Sequence, residues 1–197
     1  NPYESLPGMV MLTYEMPDYI NHILQKGEYD EFDLNEFFKA TGKDEDAKFK
    51  YENEVQSWLN LLRGKDFKNI YSNLKLNKKQ PVLPYSDSKL LSLLNHTFWF
   101  LPSVASCYAM RNLLLKRNNL FFHDYEIIVC AGNKAGMGQK ALIPVQNKMG
   151  NNPLASKTIT LSCRKLYTGV TVRPWTAVFM LKNTSSPETY FQTAFRC

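Results

Sequence analysis

Four groups of residues in this chain have the chemistry to hold an anion. Ser103 ends the run FWFLPS at the expected start of a helix, so its hydroxyl and the helix's first unpaired backbone N–H groups converge on one point. Free N–H groups at the positive end of a helix dipole make a phosphate site. Thr168-Gly169-Val170-Thr171 reads as a turn after the β-rich run TITLSC (158–163). It offers two hydroxyls and, at Gly169, a backbone that lets a ligand approach closely. Arg164 and Lys165 precede that turn and add positive charge. Gln192 and Arg196 fall one helical turn apart, hence on one helix face.

Each group needs an element to place it. TFWFLPS, EIIVCAG (126–132), TITLSC and WTAVFML (175–181) read as buried strands. A helix from Val104 to about Arg117 follows the first, with Val104, Cys107, Tyr108, Met110, Leu113 and Leu114 on its predicted buried side. Ser186 as N-cap, Pro187 at the first helical position and Glu188 in the first turn start the last helix. Strands separated by helices imply parallel βαβ units, and the carboxyl ends of such strands are where open α/β sheets bind ligands. The segment 132–156, punctuated by Gly, Asn and Pro, reads as a mobile or partner-facing loop.

Upstream, PGMVMLTYEMP predicts a strand over about 8–14, closed by Pro17. Residues 18–88 read as an acidic helical insertion or connector. They include a short helix capped by Asp33 and a longer one whose Tyr51, Val55, Trp58, Leu59 and Leu62 keep helical spacing before Gly64. A polar loop and a short helix (about 88–95, capped by Ser86 or Asp87) follow. The partition is therefore 1–17 as an entry strand, 18–88 as the insertion and 89–197 as an α/β core.

Charge is unevenly divided. Residues 1–100 carry twelve Lys/Arg and fifteen Asp/Glu, whereas 101–197 carry twelve Lys/Arg against Asp124, Glu126 and Glu188, net +9. A basic half of this kind attracts a polyphosphate backbone. Three acids cannot furnish a two-metal nuclease centre there. His22, His96 and His123 show no ligand spacing, and Cys107, Cys130, Cys163 and Cys197 form no C-x-x-C pair, so they read as free thiols of a reducing cytoplasm. No run reaches the ~18 apolar residues of a membrane span. The N-terminus has neither Met nor a signal pattern, so the chain reads as an excerpt. Gly132, Gly136, Gly138 and Lys140 invite a P-loop reading, but Gln139 and Ala141 break the required spacing.

Thr168–Thr171, the following strand, and Gln192 with Arg196 together resemble motifs V and VI of superfamily-two helicases, most closely the DEAD/DEAH-type subunits of restriction systems. Those proteins carry a T-G-x-T/D turn and then Q-x-x-G-R-x-x-R. Here Phe195 replaces the glycine, and the chain stops at Cys197 before the second arginine. FWFLPS resembles motif IV, and NPYESLPGMVMLTYEMP resembles the entry to the second RecA-like domain. The resemblance implies a three-layer RecA-like (P-loop NTPase-type) parallel sheet serving as the C-terminal motor domain of an ATP-dependent DNA helicase or translocase. ATP and Mg²⁺ would be held mainly by a first RecA-like domain absent from this chain, so the chain alone would hydrolyse nothing. Ser103, Thr168, Arg164 and Lys165 would face DNA, and Gly169 and Thr171 the nucleotide. Gln192 and Arg196 would point across a cleft at ATP, Arg196 stabilising charge on the γ-phosphoryl group. Implied partners are DNA, the first domain and methyltransferase or specificity subunits, in the cytoplasm. The alternative from a different class is a non-catalytic nucleic-acid- or protein-binding module on the same sheet. A Rossmann-type cofactor domain is disfavoured because no G-x-G-x-x-G follows the first strand.

Overall fold

The computed structural model describes residues 8–14, 32–65, 83–132, 138–164 and 172–195. The chain divides into two compact units, 1–32 and 33–197. In the first, residues 8–14 are exposed and form no regular element, so the strand expected there is not found. Its residue types favour a strand, but strands depend on pairing and packing neighbours more than on intrinsic preference.

The second unit runs α1 (Leu34–Phe37), β1 (Ala40–Thr41), β2 (Lys48–Phe49), α2 (Glu52–Leu62), α3 (Ser88–Leu93), β3 (His96–Phe100), α4 (Val104–Leu114), β4 (Glu126–Val129), α5 (Ile143–Met149), β5 (Thr158–Ser162), β6 (Ala177–Met180) and α6 (Pro187–Ala194). β1 and β2 form a small antiparallel pair. The other four strands make one wholly parallel sheet in the order β4-β5-β3-β6. The four runs read as strands in the sequence are these four, and the class is α/β as expected. β3 and β5 are buried at every residue, because central parallel strands are covered on both faces and lose the in–out alternation. β4 and β6, at the sheet edges, are only partly buried.

Register partners point the same way, which assigns the two faces. Phe98, Phe100, Ile128 and Cys130 pack with Ala141, Leu142, Val145, Met149, Val172 and Trp175, so α5 covers this face. Phe98 and Trp175 have ring centroids 4.8 Å apart. Trp99 and Phe179 face the other way, 5.0 Å apart, and meet Trp58 of α2 together with Tyr85 and Phe122. α4 lies against β4 and β5. The result is three layers, helices on each side of a parallel sheet.

Two helices differ from expectation. α5 lies within 132–156, where a loop is expected. Pro144 sits in its first turn, Gly150 with φ 68° stops it, and Val145 and Met149 share its buried face. Three apolar residues in seven, with Ile143 exposed, are too short a pattern to separate a helix from a punctuated loop. α4 ends at Leu114 rather than near Arg117, and its Val104 is exposed while Ser106 and Ala109 are buried.

The segment 33–65 shares the core of the sheet unit. Trp58 lies between Phe38 (5.1 Å) and Trp99 (6.0 Å), edge to face with both. Such pairs contribute ~0.5–1.5 kcal/mol each beyond the area they bury. The side-chain amide of Asn112, on α4, donates to the carbonyls of Asp44, Glu45 and Ala47 at 2.9, 3.0 and 3.0 Å. That loop needs an external tie, because Asp44 has φ 46°, a left-handed conformation that L residues enter at a cost.

Candidate functional site

The four parallel strands end level. Pairing continues one residue past them, with Leu101 N donating to Ser162 O (2.8 Å), Cys130 N to Leu161 O (2.8 Å) and Leu181 N to Phe100 O (2.9 Å). The chain then leaves the sheet at Pro102-Ser103, Ala131-Gly132, Cys163-Arg164 and Lys182-Asn183. These residues therefore share one carboxyl edge.

Ser103 is the N-cap of α4. Its Oγ accepts from Ser106 N at 3.0 Å, and its backbone carbonyl accepts from Cys107 N at 3.1 Å. The Val104 and Ala105 N–H groups are thus the ones left to face outward from the first turn. Gly132 passes against this turn with φ 71°, and a Cβ there would lie 3.3 Å from Val104 Cγ1. Arg164 is exposed immediately after β5. Lys182 Nζ sits 5.4 Å from the Phe100 ring centroid at the end of β3. The edge is mixed in sign, since Asp33 and Glu188 also stand in elements that reach it.

α6 begins where β6 exits. Ser186 caps it by accepting from Thr189 N at 3.2 Å, and Pro187 opens it, as expected from the sequence. Gln192 is half-buried on this helix, and its side-chain amide donates to Glu188 Oε1 at 2.8 Å. Of the predicted site residues, the structure therefore brings Ser103 and Arg164 to one edge and places Gln192 on the helix leaving it. Lys165, Thr168, Gly169, Thr171 and Arg196 lie outside the described residues.

The sequence reading missed three groups. Ser106 Oγ is buried and lies 2.7 Å from both Ser103 Oγ and the Phe38 carbonyl oxygen. Asn183 anchors α1 to the same edge, its Oδ1 accepting from Leu34 N (3.1 Å) and its carbonyl from Asn35 Nδ2 (3.3 Å). Lys182 is the third. Only Ser106 left a trace, because S-x-x-S at a helix start is a relative of the capping box. Its second bond runs to a carbonyl sixty-eight residues away and has no local signature.

The three described cysteines, Cys107, Cys130 and Cys163, are buried and form no disulfide. Burial, with the neighbouring Cys163 thiol, pushes Cys107 well above its ordinary value, so it stays a neutral thiol. Among the described residues no group of three or more His, Cys, Asp or Glu could hold a metal ion. No described helix is long and apolar enough to cross a membrane.

Over 104 residues, 51% of the chain, the sequence is 38% identical to a Mycoplasma pneumoniae protein provisionally described as the C-terminus of the type II restriction enzyme and methyltransferase RM.MpnORF110P. The matched region spans 14% of that relative's length. No family model matches the chain. No solved structure matches it.

Proposed function

We propose that this chain is the second RecA-like domain of an ATP-dependent DNA helicase or translocase belonging to a restriction–modification system. The observation that carries the reading is the level carboxyl edge of a wholly parallel sheet, with the Ser103-capped helix, Arg164 and the lead into α6 side by side. Such an edge suits a phosphate backbone, because helix N–H groups and arginines bind phosphate without reading sequence. The motif likeness supplies the nucleotide side, and the relative supplies the restriction–modification setting. On this reading Ser103, Arg164, Lys165 and Thr168 grip DNA. Gly169 and Thr171 face ATP, and Gln192 and Arg196 face its γ-phosphate from across a cleft completed by another domain. On the same reading Mg²⁺ would be held mainly by that other domain.

The deciding experiment is steady-state ATPase kinetics of the longer polypeptide with and without DNA. Arg196→Ala should leave ATP affinity within a few-fold and lower kcat by about 10³ or more, because the arginine acts on charge that develops in the transition state. An unchanged kcat would remove the motor assignment and favour a non-catalytic binding module.

A further inference from the structure

The hydrogen bonds around Ser103 fix where its proton goes. A carbonyl oxygen only accepts, so the 2.7 Å contact between Ser106 Oγ and Phe38 O uses the single hydroxyl proton of Ser106. The 2.7 Å contact between the two hydroxyls must then use the proton of Ser103. Ser103 Oγ also accepts from Ser106 N. With its proton turned inward, Ser103 offers an outside ligand only a lone pair. Phosphate oxygens are acceptors too, so this hydroxyl is held in the wrong sense to grip one.

We infer that Ser106 is a positioning residue for the carboxyl edge, a buried hydroxyl that couples the place of α1 to the ability of Ser103 to donate to phosphate. The inference rests on the reading of this edge as a DNA-backbone grip. Ser106 is fully buried and cannot turn to solvent. It has two arrangements. In one it donates to Phe38 O and receives the Ser103 proton. In the other it donates to Ser103 Oγ, and the Ser103 proton swings out to the ligand. Choosing the second gives up the bond to Phe38, the C-cap residue that follows α1. α1 is itself pinned to the far side of the edge by Asn183. Displacing α1 removes the competing acceptor and favours the donating state, and a bound phosphate loosens α1 by the same linkage.

The test is a double-mutant cycle on the 197-residue chain with fluorescein-labelled oligothymidylate as probe, read by anisotropy at fixed salt. Ser106→Ala deletes the inward acceptor and should tighten binding about tenfold, the lower end of the scale of one added charge-assisted hydrogen bond. The gain should vanish in a Ser103→Ala background, because the freed proton is then absent. Ser106→Thr keeps a hydroxyl and should bind as the parent does. Ser106→Cys, a weak acceptor of similar size, should also tighten binding and serves if the alanine variant does not fold. Additive effects of Ser103 and Ser106 substitutions on a chain that does bind DNA would overturn the relay alone. A folded chain that binds no DNA in any form would overturn both the relay and the reading it rests on.

Discussion

Replacing Asn112 by aspartate should be among the most destabilising exchanges of a half-buried polar residue in this chain. The Asn112 amide has two protons and donates to three carbonyls, those of Asp44, Glu45 and Ala47. At most two full bonds are made, one of them shared. A neutral hydrogen bond contributes about 1 kcal/mol net, so Asn112→Ala should lose about 2 kcal/mol, softened where water reaches the released carbonyls. Asn112→Asp keeps the shape but turns an acceptor toward three acceptors. Desolvating a charge among carbonyl dipoles adds to the loss, for a total of about 3 kcal/mol at neutral pH. Part of that returns on acidification, once the carboxyl carries a proton to donate. Urea unfolding followed by tryptophan fluorescence reads the effect, since Trp58 and Trp99 are buried in the core of the same unit. For a domain of this size ~1 kcal/mol corresponds to a shift of ~2–4 °C in Tm, so both variants should be visible in a thermal melt. If Asn112→Ala and Asn112→Asp both fall within about 0.5 kcal/mol of the parent, the level of an unremarkable surface exchange, then Asn112 does not hold the 44–47 loop and the account of that contact is wrong.

Two further expectations concern ionisation and reactivity. The Lys50 ammonium, then Lys39 and the Tyr51 hydroxyl, hold the Glu36 carboxyl down at about 2 from its ordinary 4.5. A depressed acid stabilises the fold fully above the unfolded value and loses that contribution as pH falls from about 4.5 toward 2. Solvent screening keeps it to about 1 kcal/mol or less, so unfolding free energies at pH 7 and pH 3 should differ less in Glu36→Gln than in the parent, and an equal pH response would refute the role. In the native state Cys107, Cys130 and Cys163 should resist a thiol reagent at neutral pH and react only as urea unfolds the chain; rapid labelling of any of the three in buffer would contradict their burial.

What the sequence disclosed follows from how local each signal is. The runs around Phe98, Ile128, Ile159 and Phe179 are short, apolar and bounded by helix signals, so strand identity and parallel pairing could be inferred without coordinates. The caps at Asp33, Ser103 and Ser186 were legible because an N-cap is written in one residue and its successors. The role of Trp58 was half legible. Its spacing announces a buried stripe, but nothing local says that the stripe meets Trp99. α5 was hidden because Pro144 and Gly150, which bound it, are also loop residues. At the candidate site, Ser103 and Arg164 could be placed on one edge from strand order alone. The Ser106 bond to Phe38 and the Asn183 hold on α1 could not, since each joins residues far apart in the chain through a single polar contact.

The sheet order has a consequence for the birth of the chain. β3 sits inside the sheet between β5 and β6, and both neighbours are made after it. His96 and its β5 partner Thr158 are sixty-two residues apart. At ribosomal speeds of ~5–20 residues per second, β3 waits roughly 3–12 s with both edges unpaired. During that interval HTFWF is an aromatic, strand-forming segment with nothing to pair with, the kind of sequence that joins another chain if one is near. α2 is already synthesised by then, and Trp58 can cover Trp99 before either neighbouring strand exists. The aromatic packing that fixes α2 in the finished fold would thus act earlier as the nascent chain's own chaperone, and a Trp58→Ala chain should show its defect as aggregation during synthesis before it shows it as a lower Tm.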